Sequence, residues 1–179
     1  MNELISLYIA ALGKIDWQDI NQFEPSDKVS LPWLLEKGSL SRRLEKKCEK
    51  LTVNLLNNIM IPAKSISESE KTLLSDGQCL LREVVLFGDE EEWVVGRTLI
   101  PASSLDKQPY DLAEQGDIPL GLTVFSVDNV SRDALQVGWV DTPSGKLIAR
   151  RSRLWMNDKP MLVAELFLPH APIYSKEKV

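Results

Sequence analysis

The chain has 179 residues, 21 Lys and Arg against 26 Asp and Glu, a net charge of −5 and 44% hydrophobic residues. That length suits one domain, 1–179, burying roughly 70% of the surface its unfolded chain would expose. An acidic balance argues against a general nucleic-acid binder. No apolar run approaches the roughly 20 residues of a membrane helix, so a soluble globular protein with no membrane insertion is expected.

Residues 2–13 carry Leu4, Ile5, Tyr8, Ile9 and Leu12 at helical spacing, which predicts an amphipathic helix. The same stretch has Glu3 and lacks a basic start and a small-residue cleavage site, so it does not read as a signal peptide. Residues 14–30 are mixed and polar, a loop around Pro25 and Ser26-Asp27. Ser30 reads as an N-cap with Pro32 in the first turn of a short helix that Gly38 stops. Ser39-Leu40 separates it from a second helical run over 41–50, whose charges read as a solvated face.

Leu51–Ile61 reads as a strand, and Ser67 with Glu70 as a capping box in the Ser- and Glu-rich stretch 63–78. Asp76-Gly77 is a turn into 79–101, CLLREVVLFGDEEEWVVGRTLIP, two apolar β-rich runs across a short polar joint: a β-hairpin. Residues 109–115, with Gly116 behind, read as a small helix, and 117–125 reads as either a short strand or a helical turn. Further strands are expected over 129–140, 147–156 and 161–169, and the charged tail 175–179 is expected to fray. Six strands joined mostly by tight turns imply antiparallel pairing, and helices segregated from strands imply an α+β fold.

Three charges sit where strands should be apolar. Arg82 shares its face with Leu80, Val84 and Leu86; Arg97 lies between Val95 and Leu99 on its own; Glu165 is the only ionisable group of MLVAELFLP. A charge there costs free energy unless an opposite charge meets it. Two readings stay open: a structural pair of Glu165 with Arg82, Arg150, Arg151 or Arg153, or a site whose charges meet a ligand. For Arg97, structural pairing or a strand end reaching solvent is the simpler reading. The basic run 146–153 reads as the polar face of a strand.

The lone histidine, His170, excludes multi-histidine metal sites, and neither a G-x-G-x-x-G nor a P-loop motif occurs. Chemistry without a metal or nucleotide cofactor is therefore expected. Cys48 and Cys79 make no metal or redox spacing, which points to a reducing cytoplasm.

Taken in order, Leu81-Arg82-Glu83, Val95-Gly96-Arg97-Thr98-Leu99-Ile100-Pro101, Pro119-Leu120-Gly121, Ser131-Arg132-Asp133, Arg150-Arg151-Ser152-Arg153-Leu154, Glu165-Leu166-Phe167-Leu168-Pro169 and Pro172-Ile173-Tyr174 resemble the chorismate pyruvate-lyase family over about 31–174. The resemblance implies a six-stranded antiparallel sheet with helices on one side and a ligand under helical flaps near Leu40 and Leu120. It implies Arg82 on the ring carboxylate, Glu165 at the hydroxyl end, backbone contacts from Leu40 and Leu120, and Arg97 near a product exit. The chain departs from the family pattern at Leu40, where methionine is usual, and at Leu122, where arginine is frequent. His170 matches no functional position.

The implied reaction takes chorismate to 4-hydroxybenzoate and pyruvate for ubiquinone synthesis, without a cofactor, with a monomer as the expected state. Losing the C4 hydrogen and breaking the C3–O bond aromatises the ring, so the protein has to hold the reactive conformer and exclude water. The rivals are a non-catalytic effector-binding domain of the same fold class, known from bacterial transcription regulators, and a bare interaction scaffold.

Overall fold

The computed structural model describes residues 2–23, 29–74 and 77–174. The expectations for Pro25, Ser26-Asp27, Asp76 and the tail 175–179 lie outside the described residues. The six predicted strands form as β2 (Leu51–Ile61), β3 (Cys79–Gly88), β4 (Glu91–Pro101), β5 (Val130–Thr142), β6 (Gly145–Met156) and β7 (Lys159–Phe167). The sheet nevertheless has seven strands rather than six, in the order β1-β5-β6-β7-β4-β3-β2, every pairing antiparallel. The extra strand, β1 (Gln18–Asp19), adds two exposed residues to the edge of β5 opposite Val137 and Gln136. Two polar residues carry no alternation, so composition alone cannot announce such a strand.

The expectation of helices on one side is also corrected: they cover both faces. On one face α1 (Glu3–Leu12), capped by Asn2 accepting from Ile5 N, sets Ile5, Tyr8 and Leu12 against Val85, Val95 and Leu166. The segment around α4 (Glu68–Lys71) adds Ile66 and Leu74 against Leu81, Leu99 and Leu162. On the other face α2 (Ser30–Leu34) and α3 (Leu40–Glu45) bring Trp33, Leu34, Leu40 and Leu44 over Leu86, Val94 and Phe167. Beyond the short α5 (Ala102–Leu105), α6 (Leu120–Val124) sets Val124 there against Leu80, Ile100 and Met161. The cause is that β3, β4 and β7 bury nearly every residue, inward and outward alike. A sheet apolar on both sides has to be covered on both, and each side chain fully buried this way contributes about 1.5–3 kcal/mol.

Local signals behave as their chemistry dictates. The Ser67–Glu70 capping box forms in full, and Ser39, not Ser30, is the side-chain cap of a helix, accepting from Arg42 N at 3.2 Å. Ser30 is instead the first residue of α2, its hydroxyl donating to Ile173 O. The second helical run ends at Glu45, short of 50, because Asp89 accepts from Glu49 N and Lys50 N and draws the chain into β2. Residues 117–125 resolve as helix α6, and 109–115 yields only a 3-10 turn at Leu112–Glu114. The hairpin turns on Asp89 and Glu90, both left-handed at φ 47° and 73°, the geometry that matches the strands' own twist.

Candidate active site

Register places the site. Arg82 on β3 pairs with Thr98 on β4, Thr98 with Val163 on β7, and Val163 with Ser152 on β6, a row across four strands. The adjacent row runs Val84, Gly96, Glu165, Arg150. These rows floor a cavity whose roof is the start of α3 at Leu40 and Ser41 and the start of α6 at Leu120 and Gly121. The two helices meet closely: a Cβ on Gly121 would lie 3.1 Å from Ser39 Oγ and 3.3 Å from Ser41 Oγ. Glycine at 121 is thus what lets the flaps touch. Gly96 keeps the floor beside Glu165 clear, where an added Cβ would come within 3.2 Å of Val84 Cγ2. The cavity offers about 70 Å³, several times what one water needs.

Arg82 is 2% exposed. Its Nη2 donates to Ile118 O at 2.9 Å, tying β3 to the chain that enters α6, while its Nη1 is buried with no partner. Burial holds its pKa below the ordinary guanidinium value. No carboxylate among the described residues pairs with it. Half of a planar, two-donor fork therefore waits inside the cavity wall.

Glu165 does not meet Arg82. Arg150, fully buried on the next strand, grips both its oxygens, Nε to Oε2 at 3.2 Å and Nη2 to Oε1 at 3.3 Å. Arg150 Nη1 donates in turn to Trp33 O and Glu36 O, so one guanidinium fixes the carboxylate and the end of α2 together. Of the partners sequence left open for Glu165, it is Arg150. Each oxygen keeps a further lone pair for a ligand hydroxyl.

Arg132 on β5 also lines the cavity, just before a bulge at which Ala134 takes φ 52°. Such bulges re-aim side chains beside binding sites. Its Nε donates to Lys37 O at 3.3 Å, Nη2 to Gly38 O at 2.9 Å, and Nη1 to Ser152 Oγ. Burial, with Arg150 beside it, holds its pKa down to about 10 against the pull of Glu165 and Glu36, leaving it charged at neutral pH. Nearby Glu36 is paired with Arg43 at 3.1 Å. Burial opposes its charge, but Gly38 N–H and Arg43 outweigh that and lower its pKa.

Thus four residues singled out from sequence, Leu40, Arg82, Leu120 and Glu165, line one cavity. Arg97 does not: it faces the opposite side of the sheet, paired with Glu70 at 3.4 Å and Glu83 at 3.7 Å, and lines a second cavity with Arg151 and Trp17. His170 is an exposed loop residue 3.7 Å from Glu91. Arg132 entered the sequence reading only within the Ser131-Arg132-Asp133 motif, although it alternates with Val130 and Ala134 on the half-buried face of its strand.

Fold and site define an α+β protein with one antiparallel sheet, two helical flaps, and guanidinium groups around an otherwise apolar cavity. The chorismate lyase family profile matches residues 11–179, and the chain belongs to that family. It is 60% identical over 179 residues, all of both chains, to a probable chorismate pyruvate-lyase of Vibrio parahaemolyticus. It is 58% identical, again over all of both chains, to a probable chorismate pyruvate-lyase of Vibrio cholerae. Among solved structures, a gene product of Staphylococcus aureus shares the fold alone: TM-score 0.54, 14% identity, covering 80% of this chain and 96% of that one. Among the described residues no helix is long and apolar enough to cross a membrane.

Proposed function

We infer that this chain is a lyase that converts chorismate to 4-hydroxybenzoate and pyruvate, the first step toward ubiquinone. The observation that carries the reading is the buried, unpartnered Arg82 Nη1 in the wall of a cavity closed by two flaps, in a chain of the chorismate lyase family. A desolvated guanidinium with a free donor is well matched to the planar oxygens of a carboxylate. The rival effector-binding reading is not favoured, because relatives at 58–60% identity over their whole length bear the lyase name.

In this reading the ring carboxylate of chorismate lies on Arg82, and the C4 hydroxyl donates to Glu165. Arg150 holds that carboxylate still, so it accepts the hydroxyl without reorganising as the phenol forms. The C4–H and C3–O bonds break, and the C4–H electron pair becomes the C3–C4 π bond that completes the aromatic ring. The departing enolpyruvate takes the C3–O pair and one proton, in net the one C4 gives up, to become pyruvate. Leu40 and Leu120 close over the ring and exclude water through their main chains and side chains. Arg97 lies on the far face of the sheet, away from the flaps, and takes no part in this reading.

Incubating purified protein with chorismate tests the reading. Equal amounts of 4-hydroxybenzoate, by absorbance, and pyruvate, by a lactate dehydrogenase couple, are expected; tight chorismate binding without products would favour the effector-binding domain.

A further inference from the structure

Arg82 is one of two guanidinium groups lining this cavity that no described carboxylate pairs; the second, half-buried, is Arg132. Three of its five N–H groups donate to Lys37 O, Gly38 O and Ser152 Oγ, which leaves two, and no described carboxylate pairs with it. Its anchor Ser152 ends the row of paired residues that begins at Arg82, so the two cations stand at opposite ends of one floor. Three strand steps separate those anchor positions, about 14–15 Å between Cα atoms. Two inward-reaching arginines can hold a small dianion across that span.

The charges agree. Arg82, Arg132 and Glu165 line the cavity, and Arg150 lies behind Glu165 and pairs with it, which leaves a surplus of two positive charges. The neighbouring Glu36–Arg43 pair adds nothing to that sum. Chorismate brings two carboxylates; 4-hydroxybenzoate brings one.

We propose that Arg132 receives the carboxylate of the enolpyruvyl group, so that chorismate is held at both ends and 4-hydroxybenzoate at one. This rests on the lyase reading above. Arg132 then discriminates substrate from product: its contact exists before C3–O cleavage, leaves with pyruvate, and contributes nothing to retention of the aromatic product. Because Arg132 also ties residues 37 and 38 at the end of α2 to the sheet, it readies the roof and the anion site together.

The test compares two stable ring analogues by titration calorimetry. 3-(Carboxymethoxy)-4-hydroxybenzoate carries the second carboxylate; 3-ethoxy-4-hydroxybenzoate has an uncharged arm of similar size. Wild type should prefer the dianion by about tenfold or more, and Arg132→Gln should reduce the preference to about twofold. In that variant KM for chorismate should rise about tenfold or more, with 4-hydroxybenzoate affinity within about threefold of wild type. Equal affinity of wild type for the two analogues would overturn the proposal, and so would a preference that survives Arg132→Gln. Loss of 4-hydroxybenzoate affinity in step with the dianion would reduce Arg132 to a structural tie. Should the variant not fold, the wild-type comparison decides alone. Failure of wild type to turn over chorismate would instead sink the lyase reading, a result the analogue titration does not depend on.

Discussion

Arg150 and Glu165, cross-strand neighbours on β6 and β7, form a two-bond ion pair at 3.2 and 3.3 Å in the floor of the cavity, while Arg82 shares that floor unpaired. Of the readings that Glu165 permits in the sequence, the structural pair is the one present, and the paired carboxylate also lines the cavity. Arg82 in the same lining keeps a donor without a partner.

Arg82→Ala should weaken chorismate and 4-hydroxybenzoate alike, by about 2–5 kcal/mol, because the ring carboxylate is common to both. Arg82→Lys should restore only part of this, since a point charge cannot reproduce the two-donor fork. Titration of each variant with 4-hydroxybenzoate checks it; near-normal product affinity for Arg82→Ala would return Arg82 to a purely structural role.

Removing Arg150 alone strands Glu165 as an uncompensated buried charge. Arg150→Met should cost about 3–5 kcal/mol of folding stability, and the double variant Arg150→Met/Glu165→Leu should recover most of that while remaining inactive. Urea unfolding of the single and double variants beside turnover separates the two roles. A double variant no more stable than Arg150→Met would contradict the assignment.

Product and substrate share the Arg82 and Glu165 contacts, and such uniform binding slows product loss without helping chemistry. Flap opening should then limit kcat, and rapid mixing should show a burst of 4-hydroxybenzoate before the steady state. Gly121→Val drives bulk into Ser39 and Ser41 and parts the flaps. It should weaken 4-hydroxybenzoate binding and flatten the burst. A linear trace in wild type, with weak product inhibition, would place the slow step at or before chemistry.

Above neutral pH the group to watch is Arg132. With its folded pKa depressed to about 10, its charge is present below that pH and lost as pH rises through it. Between there and its ordinary value the unfolded chain binds the extra proton, so from this group alone stability rises with pH over that window. Chorismate kcat/KM should be level to about pH 9 and fall beyond, reporting the free enzyme. The fall should be missing from Arg132→Gln; an unchanged alkaline limb in that variant would assign it elsewhere.

How legible this was in the sequence depended on how local each signal is. Arg82 and Glu165 stand out as lone charges in apolar alternation, and the strands that carry them were placed within a few residues of where they form. Partner choice was not legible: Glu165 meets Arg150 because β6 lies beside β7, and strand adjacency is written in register, not composition. Arg132 was hidden because Ser131, Asp133 and Gln136 make its strand look wet on both sides; a bulge at Ala134 and the α2–α3 junction turn it inward. The helix at 120–124 was ambiguous since five residues carry too little period. Two-sided helix cover was visible in principle, as Val85, Val95 and Leu99 are apolar on the face away from Arg82, where α1 and the segment around α4 pack.

The most direct measurement is single-turnover conversion of chorismate by wild type and by Glu165→Gln, with 4-hydroxybenzoate and pyruvate followed together. Glu165→Gln keeps the shape and a hydrogen-bonding group but removes the charge that faces the C4 hydroxyl. Wild type should yield both products one to one. The variant should stay folded, with a lowered unfolding midpoint because buried Arg150 loses its charge partner, while losing about a hundredfold or more in rate. A folded Glu165→Gln that turns over chorismate at the wild-type rate would contradict the account.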